Sequence, residues 1–318
     1  MSAKPGVLAA LERGMPPVAT HGETHAVLAM RHGIEVFAAF GTDCSVPCGP
    51  DVTHISWSMA KSMTHALVGF MVADGRLDIE GPGEVPEWQA DARRAITMRQ
   101  LLEMRSGLDW IEAYVDGEES HVIDMLFGEG SGDHAAYAAR RPLAHAPGAF
   151  WNYSSGTTNI ICRILGDLVG GASASERRIR MNEWVNDRLF APLGMSSSTA
   201  KFDSAGNFVG SSYVYATAAD FARFGRMYIT AAHRLPPGWV DLARTTVSVD
   251  PETHHGYSHH WWTWPSLPGA FVATGFEGQY TIVVPEDDLV IVRLGKTPSE
   301  IRTNVVADLV ALVHELRG

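Results

Sequence analysis

Hydrophobic and polar positions follow a strand-like pattern near both ends of the chain and a helical one through its middle. The stretch HAVLAMRHGIEVFAAFG, His25 to Gly41, reads as two strands joined at Arg31-His32-Gly33, with glycine where a hairpin turn wants positive φ. QYTIVVPEDDLVIVRLG, Gln279 to Gly295, reads as a second hairpin turning on Pro285-Glu286-Asp287-Asp288. Strands at both ends predict one sheet closed by both termini.

Between them, TTNIICRILGDLV places Ile160, Ile161, Ile164, Leu165 and Leu168 at helical spacing, and Gly170-Gly171 ends the run. TAADFARFGRMYI opens with Thr217 and Asp220 in a capping-box pattern. TNVVADLVALVHEL repeats Val306, Leu309, Val310 and Val313 and predicts a terminal helix packed on the sheet. The expected fold class is α+β, an antiparallel sheet flanked by helices plus a mostly helical domain. Residues 1–72 and 250–318 are expected to form the α/β part and residues 73–249 a mostly helical part.

Composition narrows the function. With 318 residues, 46% of them hydrophobic, the chain can bury a large core. Its 25 Lys and Arg against 36 Asp and Glu give a formal net charge of −11, which repels nucleic-acid phosphates and anionic lipid. No nucleic-acid or membrane partner is expected. The start, MSAKPGVLAALERGMPP, lacks a basic region followed by an apolar stretch, so a cytoplasmic location is expected. Cys44, Cys48 and Cys162 read as reduced structural thiols. A Cys44–Cys48 bridge or thiol metal site is the alternative, but no neighbouring CxxC or histidine pair completes four ligands. The four histidines of HHGYSHH, His254 to His260, lack a paired carboxylate, so neither metal nor cofactor is expected.

The chemistry begins at WSMAKSM. Ser58 and Lys61 lie one turn apart at the front of an apolar run. A helix starting there puts the hydroxyl at a positive dipole end and lowers the lysine pKa by burial. S-x-x-K alone is weak: STAK, Ser198 to Lys201, repeats it in a polar stretch without periodicity. Two further elements follow in order. FWNYSSGTTN supplies Tyr153-Ser154-Ser155 before a helix, and FVATGFEGQY supplies Ala273-Thr274-Gly275 before a hairpin strand.

Together these resemble the motif set of serine β-lactamases and penicillin-binding proteins, in the class C-like form with tyrosine in the second motif. SGLDWIEAY ahead of WNYSSGTTN, and the GFEGQY ending, are most similar to the 6-aminohexanoate-dimer hydrolase and family VIII-type esterase branch. The resemblance implies a β-lactamase/transpeptidase-like fold with the active site in the cleft between its α/β and helical domains, and acylation of Ser58, with Lys61 and Tyr153 as the acid/base pair. The Ser58 and Phe276 N–H groups form the oxyanion hole in this reading, with the Gln279 N–H as the alternative. It also implies Tyr114, Ser155, Thr274, Gly275 and Glu277 as substrate contacts.

Ala273 departs from the family's lysine, which helps hold a substrate carboxylate, and nothing in the sequence places Arg293 there instead. Asp109, Glu112, Asp116, Glu118 and Glu119 around Trp110 and Tyr114 either favour neutral or cationic substrates or form a solvated acidic loop, and HHWWTW, His259 to Trp264, either walls an acyl pocket or packs as core. The expected function is hydrolysis of small esters or amides. A β-lactamase or D,D-peptidase, or a non-catalytic penicillin-recognition module, is the alternative, and a homodimer is left open.

Overall fold

The computed structural model describes residues 6–114, 117–230 and 234–317. Eleven strands occur among them. In chain order they are β1 (Glu23–Arg31), β2 (Ile34–Phe40), β3 (His54–Ile55), β4 (Thr199–Ala200), β5 (Val214–Ala216) and β6 (Ser248–Val249). Then follow β7 (Gly256–Tyr257), β8 (Trp262–Thr263), β9 (Phe271–Gly275), β10 (Gln279–Val284) and β11 (Leu289–Lys296). Eight of these form one antiparallel sheet in the order β2-β1-β11-β10-β9-β8-β7-β6. The pairing of β1 with β11 closes the sheet across the two ends of the chain, as the strand pattern predicts.

Both hairpins turn where expected. His32 and Gly33 take φ of 51° and 77°, the left-handed pair that lets a two-residue turn follow the strand twist. Pro285–Asp287 makes a single 3₁₀ turn, and Asp288 at φ 43° completes the second hairpin.

Side chains alternate across the sheet, and each face is buried. Ala26, Leu28, Met30, Val290, Val292 and Leu294 face the larger core, whereas Val27, Ala29, Leu289 and Ile291 face the smaller one. The terminal helix Arg302–Arg317 covers the smaller core with Val305, Leu309, Leu312 and Val313. Its buried face is centred one residue away from the sequence reading, since Val306 and Val310 lie at its margin.

The larger core is organised by the helix Ala60–Ala73. Every residue from Ala60 to Met71 is buried, so this helix has no solvent face and lies in the middle of the molecule. It packs against the helix Ser155–Val169 and the end of β9. The stretch 73–249 is not helical throughout: it contributes β4, β5 and β6, and its helix Ala218–Thr230 packs on β1, β10 and β11. The capping box at Thr217 forms by half. The Asp220 N–H donates to Thr217 Oγ1, while the Asp220 carboxylate accepts from Ser197 N and Oγ instead of the Thr217 N–H.

No helix among the described residues is long and apolar enough to cross a membrane. Because Leu67 is fully enclosed in the central helix, Leu67→Ala should lower unfolding free energy by about 2–5 kcal/mol in a denaturant titration. A loss under about 1 kcal/mol would mean that the helix is not the core element described.

Candidate active site

The central helix is entered through a strained turn. Trp57 takes φ 44° immediately ahead of Ser58, a left-handed conformation that costs a non-glycine residue roughly 1–3 kcal/mol. Ring packing holds it: the Trp57 indole meets Phe276 edge-on with centroids 5.7 Å apart and lies 6.0 Å from Tyr213. The 3₁₀ turn Trp57–Met59 then runs into the helix, leaving Ser58 half-buried and Lys61 inside.

Lys61 is 2% exposed, and its Nζ has three oxygen partners. Ser58 Oγ lies at 2.9 Å, Ser155 Oγ at 2.9 Å and the Ser211 carbonyl at 3.1 Å. Burial lowers the pKa of this lysine to about 8, and the nearby Glu112 carboxylate opposes the shift. The other sequence match, Ser198 and Lys201, gathers no comparable partners; Lys201 is exposed, with Nζ over the Tyr215 ring.

Ser154 caps the helix Ser155–Val169 by accepting from the Thr157 N–H, which fixes Tyr153 just outside the helix and Ser155 at its first position. The Tyr153 ring lies 4.7 Å from Lys61 Nζ and packs on Tyr257 and Trp262. Burial, with the charge of Glu112 adding to it, pushes the Tyr153 phenol above its ordinary range; the Ser58 hydroxyl works against that rise.

Glu112 is the residue the sequence reading left inside a generic acidic loop. Its carboxylate accepts from Ser155 N at 2.8 Å, Ser155 Oγ, Trp110 Nε1 at 2.6 Å and Tyr114 Oη at 3.0 Å. Four donors on two oxygens make it a pure acceptor. Two other acids of that loop act elsewhere: Asp109 pairs with Arg141, and Glu119 lies 3.4 Å from His121. Asp116 lies outside the described residues.

The third wall comes from β9. A methyl group on Gly275 would lie 2.3 Å from the Ser56 carbonyl oxygen, so only glycine lets the strand end press against the turn that carries Ser58. Phe276 follows, stacked on Tyr114 with ring centroids 4.7 Å apart. Arg293 is buried beneath this corner and donates to the carbonyls of Glu277 and Gly278, at 3.2 and 2.8 Å. It braces the turn and does not supply the cleft with the cation missing at position 273.

The Ala273 methyl faces the larger core, and alternation turns Thr274 to the opposite face. Glu277 sits at φ 59° with its carbonyl engaged by the Thr297 N–H. Beside the corner lies a cavity of about 280 Å³ lined by Trp57, Tyr114 and Phe276 together with Glu118 and Asp124.

Of HHWWTW, only Trp262 packs on Tyr153, while Trp261 and Trp264 are core residues. The histidines of the HHGYSHH run are held separately. His255 stacks on Trp264, His259 pairs with Glu103 and His260 bonds the Leu102 carbonyl.

The β-lactamase family model matches residues 16–315, and the chain belongs to that family. Within it, the chain is 28% identical over 298 residues to the 6-aminohexanoate-dimer hydrolase of Paenarthrobacter ureafaciens, covering 86% of this chain and 73% of that one. A Bacillus anthracis protein provisionally described as a 6-aminohexanoate-dimer hydrolase superposes with a TM-score of 0.76 at 20% identity, over 94% of this chain and 81% of that one. A class C β-lactamase superposes with a TM-score of 0.69 at 14% identity, over 96% and 95% of the two chains. The protein is thus a serine hydrolase of the amidase-like kind with the β-lactamase/transpeptidase fold.

The contact at Gly275 generates a test. Gly275→Ala must push the strand end off the Ser56 carbonyl, and a displacement of this order should lower kcat/KM for a short-chain nitrophenyl ester by about 10²-fold. Unchanged kcat/KM in the folded variant would show that the close approach plays no part in catalysis.

Proposed function

We propose that the chain hydrolyses small neutral or cationic esters or amides through an acyl-enzyme on Ser58, with Lys61 as the base in acylation and Tyr153 as the proton donor. The supporting observation is the hydrogen-bond accounting around Lys61 Nζ. The Ser211 carbonyl can only accept, and Ser155 Oγ has committed its proton to Glu112, so it too accepts from lysine. A neutral amine has two N–H groups and one lone pair. The N–H groups go to these two oxygens, and the lone pair is left for the Ser58 O–H, 2.9 Å away.

Proton transfer to Lys61 then frees Ser58 Oγ to form a bond to the substrate carbonyl carbon. The oxyanion that develops is stabilised by the N–H groups of Ser58 and Phe276. Tyr153, kept protonated by its surroundings, gives its proton to the leaving alcohol or amine as the bond to the carbonyl carbon breaks. Lys61 passes the proton it took to the Tyr153 phenolate; in the second half-reaction a water molecule gives a proton to Lys61 as it attacks the acyl carbon, and Ser58 Oγ takes that proton back as its bond to the acyl group breaks.

Substrate charge follows from what the cleft lacks and what lines its cavity. Alanine at 273 and the engaged Arg293 leave a substrate carboxylate without a cation there, and Glu118 and Asp124 border the cavity. In this reading Tyr114, held by Glu112 and stacked on Phe276, covers the bound acyl group.

Ser58→Ala and Lys61→Ala should each lose at least about 10³-fold in kcat for nitrophenyl acetate. Retention of parental turnover by either variant would refute its assignment. For the parent, kcat/KM should rise with pH to a plateau with an apparent pKa near 8, because the amine is competent only once its proton is lost. Glu112→Gln removes the negative charge that favours the ammonium, so its rising limb should move to lower pH. A limb that stays in place would show that Glu112 does not act on Lys61.

A further inference from the structure

A second cluster of reactive side chains stands outside the cleft, where β1 meets the loop leading from β2 to β3. Glu23 and His25 are two residues apart on β1 and share a face. The His25 Nε2 to Glu23 Oε2 distance is 3.2 Å, close to the roughly 3.4 Å edge of a tetrahedron whose ligands sit about 2.1 Å from its centre. Cys44 Sγ joins them, so that these three ligating atoms all lie within 4.8 Å of one another. The Cys48 thiol lies beside that of Cys44 but outside this close trio, donating to the Val46 carbonyl at 3.5 Å, and neither cysteine is in a disulfide.

The backbone makes room for this group. A methyl on Gly41 would lie 2.3 Å from Cys44 Sγ and 3.6 Å from Cys48 Sγ, so both sulfurs gather around one glycine. The Gly41 N–H is itself held by the His25 carbonyl at 3.0 Å. Ser45 donates from both N and Oγ to Glu23 Oε2, at 2.8 Å each, the same oxygen that meets His25, and so fixes the orientation of the carboxylate. The His54 ring stacks on His25 with centroids 4.9 Å apart, and its buried Nε2 has no hydrogen-bond partner.

We propose that Glu23, His25 and Cys44 form the preset part of a structural binding site for one zinc-type divalent cation, with the neighbouring Cys48 as the fourth ligand. The donor set of two sulfurs, one imidazole and one carboxylate suits a tetrahedral borderline metal, and four protein ligands close the site to substrate. The two thiols release their protons to solvent as the cation binds, since the cation supplies the charge that stabilises thiolates there. Bound metal ties β1 to the loop that enters β3, three residues before Ser58 follows His54-Ile55. The cation is thus assigned to holding that approach in place, with no part in the chemistry at Ser58.

The test uses the full chain, kept reduced, stripped with a chelator and titrated with Co²⁺ as a spectroscopic probe. The expected result is one equivalent bound, with the sulfur-to-cobalt charge-transfer band and displacement by Zn²⁺, which should also raise the melting temperature. Cys44→Ser and His25→Gln should each weaken binding by at least about tenfold while the stripped variants keep parental nitrophenyl ester turnover. Cys48→Ser serves as the further variant if one of these does not fold. Absence of saturable binding, binding without the sulfur band, or parental affinity in all three variants would overturn the proposal. So would an intact mass short by two hydrogens that maps to a Cys44–Cys48 disulfide.

Discussion

A lysine enclosed on every side must either lose its proton readily or find three acceptors, and the centre of this molecule is arranged around that constraint. Lys61 finds Ser58, Ser155 and the Ser211 carbonyl, contributed by three separate stretches of chain. Desolvation weakens its hold on the proton, while Glu112, acting across Ser155, keeps the ammonium from becoming intolerable. The same helix that buries Lys61 fills the larger core, so the site's electrostatics and the fold's packing rest on one element.

Glu112 links that centre to the cleft wall. By collecting the Ser155, Trp110 and Tyr114 donors it fastens the loop before residue 115 onto the start of the helix Ser155–Val169. Tyr114 is thereby set against Phe276, and Phe276 against Trp57, giving a continuous aromatic edge around Ser58. Arg293 and Gly275 fix the far side, one by bracing carbonyls and the other by having no side chain.

Much of the architecture was legible because it rests on periodicity. Two-residue alternation marks β1, β2, β10 and β11, and the helices from Ser155 and Ala218 begin at residues able to cap them. Ser58, Lys61 and Tyr153 could be singled out because each stands at the entrance to a regular element, where motif order translates into position. The parts that escaped have no local signature. Glu112 looks like any acid in an acidic loop until its partner 43 residues away is known. Trp57 gives no hint of positive φ, since its conformation is imposed by Phe276 and Tyr213. Cys44 and His25 read as unrelated because the chain between them passes through a hairpin before returning to β1.

The central claim is that Lys61 takes the Ser58 proton, and phosphonylation by a fluorophosphonate, in which Ser58 Oγ bonds to phosphorus as fluoride leaves, isolates that step from leaving-group protonation and deacylation. The rate of label incorporation, followed by intact mass across pH, should rise through a single ionisation near pH 8 and place the label on Ser58. A rate independent of pH between about 6 and 10, or a label on another residue, would contradict the account.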